Sequence, residues 1–129
     1  MPVKRKKIFI ICPVRGAKEC EIKELEEYVS KLESNGHKVY YPPRDTKQDD
    51  PIGIRICSAN KKAVMEADEV HVYWDDESEG SRFDLGMAFM ANKPIILINK
   101  DRIKPTPRKS FKNVLLALDS KHKKKQKCF

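Results

Sequence analysis

Ile8-Phe9-Ile10-Ile11-Cys12-Pro13-Val14-Arg15-Gly16-Ala17, IFIICPVRGA in one-letter code, joins an unbroken apolar run to a loop holding a proline, an arginine and a glycine. A short run without polar alternation marks a strand covered on both faces, as the strands of parallel sheets are. Beyond the loop, apolar residues recur at Ile22, Leu25, Val29 and Leu32, the spacing of one helical stripe. Asn35-Gly36 supplies residue types that tolerate a left-handed helix end. Lys38-Val39-Tyr40-Tyr41 follows as a second strand, so the chain opens with a strand, a helix and a strand joined by a right-handed crossover.

The pattern continues to the end of the body. PPRDTKQDDP, bracketed by Pro42 and Pro51, reads as a polar loop without regular structure. A second helix is expected from about Ile52 to Ala67, its apolar stripe formed by Ile56, Cys57, Ala63, Val64 and Ala67. Asn60 falls on that same face, where a polar side chain needs a partner. A third strand spans Glu69 to Trp74, a third helix begins near Ser81, a fourth strand spans Pro94 to Ile98, and an amphipathic helix runs from about Ser110 to Leu118. The result is an α/β sandwich with a mainly parallel sheet. Its strand-to-helix loops, CPVRGAK, YPPRDTKQDD, WDDESEG and INKDR, gather at the carboxyl ends of the strands, where such sheets bind ligands. No GxGxxG follows the first strand, so no dinucleotide cofactor is expected.

The totals agree with this architecture. At 129 residues, 40% hydrophobic and 36% charged, the chain has the size and composition of one globular domain. We place that domain at residues 1–119 and a basic, flexible tail at 120–129. No apolar run approaches the roughly 20 residues of a membrane span. MPVKRKK leads directly into a strand rather than into a signal helix, so a cytoplasmic location is expected. The four cysteines lack zinc-site spacing and the three histidines are scattered, so no metal site is expected. Asp75-Asp76-Glu77 with Glu79 reads as a solvated acidic loop, not a magnesium site. The net charge of +8 sits largely in Lys4-Arg5-Lys6-Lys7 and the Lys121–Lys127 run, with no interleaved aromatic side chains. Specific nucleic-acid binding is therefore not expected, and a basic nucleic-acid accessory protein is the weakest of the functional readings.

The stretch Glu79 to Met90, EGSRFDLGMAFM, holds an acid just ahead of an apolar run, and Asp84 has two explanations. Ser81-Arg82-Phe83-Asp84 has capping-box spacing, in which the acid reaches back to a free amide and gains from the helix dipole. Alternatively, Gly80 allows a ligand close to the backbone, Gly86 thins the helix, and Asp84 stands rigidly at a pocket floor. A carboxylate so placed suits attack on a carbon that develops positive charge, such as the anomeric carbon of a sugar.

Three stretches, IFIICPVRGA, MEADEVHVYW and SEGSRFDLGMAFMANKPIILI, make the chain resemble the nucleoside 2-deoxyribosyltransferase superfamily, which includes nucleoside 5′-monophosphate N-glycosidases. The likeness covers roughly Lys7 to Asn99. It implies a Rossmann-like three-layer sandwich, a homodimer or higher homo-oligomer, a nucleoside or nucleotide as partner, and cleavage of an N-glycosidic bond through a covalent sugar ester. Asp84 stands where the family has its glutamate nucleophile. Cys12, Pro13, Arg15 and Gly16 stand in the loop that lies against the sugar or its 5′ substituent. Ser78, Gly80 and Ser81 stand where members acting on monophosphates hold the phosphate. Tyr41, Tyr73 and Trp74 are candidates either to stack on the base or to fill the core.

Two departures separate the chain from the family pattern. Asp84 is one methylene shorter than glutamate, and about 1 Å of displacement at a reacting group can cost on the order of a hundredfold in rate. Asn60 replaces an aspartate, and an amide orients a hydroxyl but carries no proton to or from it. The alternative to an enzyme is a non-catalytic nucleotide-binding or sensing module of the same fold.

Overall fold

The computed structural model describes residues 4–127. Four parallel strands, β1 (Lys7–Ile11), β2 (Lys38–Tyr40), β3 (Glu69–Val72) and β4 (Ile95–Leu97), lie in the order β2-β1-β3-β4. Ile8 pairs with both Val39 and Glu69, and Val70 pairs with Ile95. The connecting helices are α1 (Glu19–Ser34), α2 (Pro42–Asp45), α3 (Ile54–Glu66), α4 (Glu79–Met90) and α5 (Phe111–Lys127). This is the expected Rossmann-like three-layer sandwich with a parallel sheet.

Side-chain alternation in β1 sorts the core into its two layers. Phe9 and Ile11 join Val70, Val72 and Trp74 beneath Ala63 and Val64 of α3 and Leu85 and Ala88 of α4. Ile8, Ile10 and Cys12 join Tyr73 on the opposite face, against Leu25 and Val29 of α1. The exposed edge of β4 is covered by α5, whose buried Asp119 accepts the Leu97 N–H at 2.9 Å. Among the described residues, no helix is long and apolar enough to cross a membrane.

Three local expectations need correction. The PPRDT segment is not irregular throughout, because Pro42 and Pro43 open the one-turn helix α2. Proline is favoured at a helix start, where its fixed φ fits and its missing N–H has no helical partner to lose. Next, α4 starts at Glu79 rather than near Ser81, with Ser78 as its cap. Finally, α5 does not stop at Leu118 but continues to Lys127. Lysine and glutamine are good helix formers, and cations are favoured in a last turn by the helix dipole.

Candidate functional site

The site is built where α3 and α4 meet near the end of β1. The cap of α4 is complete without Asp84: the Ser78 hydroxyl accepts the Ser81 N–H at 3.2 Å and the Ser81 hydroxyl at 2.9 Å. Asp84 is thus one full turn inside the helix, and the capping-box explanation fails because the cap lies three residues earlier than the sequence suggested. The only hydrogen bond to its side chain among the described residues comes from the Asn60 amide, at 3.5 Å to Oδ2.

Burial pushes the Asp84 carboxyl up to about 6, only partly offset by the Asn60 bond. The helix N-terminus was expected to favour the ionised form. Desolvation wins instead because Asp84 is beyond the turn where the free amides act. Cys12, buried at the end of β1, is pushed up to about 12 by burial and then by the Asp84 charge. Its thiol is therefore protonated at neutral pH and is no nucleophile.

Asn60 is 5% exposed, and the partner its position demanded is Thr46. Thr46 Oγ1 donates to Asn60 Oδ1 at 2.8 Å, and Tyr40 Oη lies 2.7 Å from Thr46 Oγ1. Thr46 itself is fixed at the end of α2, its N–H donating to the Pro42 carbonyl at 3.0 Å. Neither Tyr40 nor Thr46 stood out in the sequence. They are 20 and 14 residues from Asn60, and only the fold of α2 brings them to it.

The other candidate residues are dispersed along the same edge of the sheet. Pro13 is buried, whereas Arg15 and Gly16 are exposed on the β1–α1 loop. Gly16 has φ +68°, which glycine adopts without strain, and a side chain there would meet open space. A Cβ on Gly80 would likewise meet nothing, so the first turn of α4 is open to a ligand. Ser81 is 1% exposed, which leaves Ser78 as the more accessible of the two hydroxyls. Tyr41, Tyr73 and Trp74 are all buried and belong to the core.

Three arginines could offset an anionic ligand, and two of them are engaged elsewhere. Arg44 holds Glu33, Asp45 and the Val39 carbonyl, while Arg82 binds the Ser78 and Asp76 carbonyls and lies 5.3 Å over the Trp74 ring. Arg15 makes no ion pair or hydrogen bond among the described residues. A groove of about 320 Å³ lies beside its loop, lined in part by Pro13, Val14, Ala17 and Tyr41. A second groove, of about 540 Å³, runs along β2 and α3 past Tyr40, Ala59 and Ala63. Asp84 lines neither. No cluster of three or more His, Cys, Asp or Glu side chains able to hold a metal occurs among the described residues.

No family model and no curated protein matches the chain. Solved structures do. A 2-deoxyribosyltransferase from the psychrotolerant bacterium Bacillus psychrosaccharolyticus superposes with a TM-score of 0.60 at 20% identity, over 70% of each chain. The CMP N-glycosidase BcmB of Clostridium botulinum superposes with a TM-score of 0.55 at 25% identity, over 71% of this chain and 67% of its own. In structure as in sequence, then, the chain resembles the nucleoside 2-deoxyribosyltransferase-like superfamily.

Proposed function

We propose that this chain, sharing the fold of a deoxyribosyltransferase and a CMP N-glycosidase, cleaves or exchanges the N-glycosidic bond of a nucleoside or nucleoside monophosphate. The observation that carries the reading is the state of Asp84. It is a half-buried carboxylate that, among the described residues, no cap, cation or backbone amide consumes, oriented by a single amide. At pKa about 6 it is ionised at neutral pH yet more basic than an ordinary aspartate. Attack of an Asp84 oxygen on C1′ forms the ester bond as the C1′–N bond breaks. The electron pair leaves with the base, which takes a proton from water. Water then hydrolyses the ester, or a second base captures the sugar, and either step restores the carboxylate.

In this reading Asn60 orients the sugar and Asp84. The β1–α1 loop, Cys12, Pro13, Arg15 and Gly16, borders the sugar or its 5′ substituent, and Ser78, Gly80 and Ser81 form the end that receives a phosphate. Arg15 is the cation left to meet that phosphate. The exposed Phe83 and Met90 of α4, 58% and 86% accessible, with Met65 and Ile54 of α3, would be covered in a homodimer or higher homo-oligomer. Sedimentation of the purified chain tests that assembly.

The activity is tested by incubating the protein with a panel of nucleosides and monophosphates and following free-base release and base exchange. Release by the wild type that is lost in Asp84→Asn supports the reading, and equal inertness of both sinks it. A non-catalytic nucleotide-binding module is the second reading, favoured by the amide at Asn60, which moves no proton. Thermal stabilisation by a nucleotide without turnover would select it.

A further inference from the structure

The hydrogen bonds behind Asp84 have a direction. Thr46 has one hydroxyl hydrogen, and it is given to Asn60 Oδ1 at 2.8 Å. Thr46 Oγ1 must therefore accept from Tyr40, whose hydroxyl is 2.7 Å from it and 3.4 Å from its other acceptor, the Asp45 carbonyl. With Oδ1 occupied by a donor, the NH2 end of the Asn60 amide is the end turned to Asp84. Reversing the amide would set Oδ1 against a carboxylate oxygen, with two acceptors facing and no hydrogen between them, and would push the Tyr40 hydrogen onto the longer 3.4 Å bond to the Asp45 carbonyl. Thr46 and Asn60 are 6% and 5% exposed, so water does not readily replace either bond.

We propose that Thr46, supported by Tyr40, is a positioning residue that locks the Asn60 amide with its donor end on Asp84, so that the carboxylate is kept ionised and aimed for attack. The proposal rests on the reading of Asp84 as nucleophile for its catalytic meaning, but the relay Tyr40 to Thr46 to Asn60 to Asp84 is a physical claim of its own. Threonine suits the task because its Cβ is branched and its rotamers few. A serine at this position could make the same bond, and a valine has the same shape without the hydroxyl. The short helix α2 thereby gains a purpose beyond connecting β2 to α3: it delivers Thr46 to the buried face of α3.

The test follows the Asp84 carboxyl carbon by NMR through a pH titration in the full chain, comparing wild type, Thr46→Val, Thr46→Ser and Asn60→Ala. Loss of the hydroxyl should raise the apparent Asp84 pKa by about one unit, as expected when a hydrogen bond to the charged form is weakened. Thr46→Ser should restore the wild-type value. On the Asn60→Ala background, Thr46→Val should produce no further rise. Should Thr46→Val fail to fold, Thr46→Ala removes the same hydroxyl with less bulk and is read the same way. An Asp84 titration unmoved by hydroxyl removal overturns the proposal, as does a shift that persists without Asn60. Base release is measured on the same samples. Turnover with an unmoved titration would leave the enzyme standing and remove the relay, whereas a moved titration without turnover would do the reverse.

Discussion

Two buried or half-buried carboxylates, Glu69 at the amino end of β3 and Asp84 inside α4, receive opposite treatment from the same fold. Glu69 is 6% exposed and accepts from His71 Nε2 at 2.8 Å and Lys6 Nζ at 3.1 Å. His71 is held in turn by Tyr28, whose hydroxyl lies 2.6 Å from Nδ1. Desolvation alone would raise Glu69, but the His71 and Lys6 partners overcome it and hold the acid at about 2. Asp84 has the desolvation with one long bond to answer it, and stays at about 6. Burial thus does not decide what a carboxylate does. The number and charge of its partners do, and the poorly partnered acid is the one left free to react.

The largest effect that could break this contrast is catalytic. Asp84→Asn should lower base release by about 10⁴-fold, the scale of losing a nucleophile, while a Glu69 variant leaves turnover per folded molecule unchanged. Steady-state assays on both proteins decide it.

Stability should show the reverse order. Glu69→Ala strands His71 and Lys6 and should cost about 3–5 kcal/mol in urea unfolding. Asp84→Asn removes a desolvated charge and should stabilise the fold at pH 7 by on the order of 2 kcal/mol. A destabilised Asp84→Asn would mean that the acid supports the fold.

The pH dependence separates the two acids by sign. Glu69 is lowered, so its contribution is complete above the ordinary carboxylate range of about 4.3 and is lost as pH falls through about 2. Asp84 is raised, so its contribution is complete below about 3.9 and is lost as pH rises through about 6. Stability should therefore climb from pH 2, decline as pH rises toward about 6 and level off beyond it, and Asp84→Asn should abolish only the decline. Denaturant titrations across that range check both limbs.

A smaller sharpening comes from Asn60→Asp. Two carboxylates about 3.5 Å apart cannot both ionise readily, so one member of the pair should titrate above pH 7. If both titrate near 4, the two side chains are not neighbours in solution.

Much of this was legible in the sequence because it depends on local pattern. The apolar run of β1 and the 3.6-residue stripe of α1 specify a parallel α/β fold, and the polar residue on the apolar face of α3 announced that Asn60 has a buried partner. The start of α4 was misplaced because Ser78 and Ser81 are both competent caps three residues apart, and only the chain path out of β3 chooses Ser78. That three-residue difference changes Asp84 from a cap into a free acid. Thr46 was invisible because its meaning lies in a contact across 14 residues, delivered by a one-turn helix that two prolines start. The Glu69 network was hidden for the same reason: Lys6, Tyr28 and His71 come from three separate segments.

The most direct test of Asp84 as nucleophile is the covalent ester itself. The protein is mixed with a 2′-fluorinated nucleoside that slows ester hydrolysis, quenched in acid, digested and weighed by mass spectrometry. The expected result is the mass of the sugar on the peptide containing Asp84, absent from Asp84→Asn. Base released with no adduct, or an adduct on another residue, would contradict it.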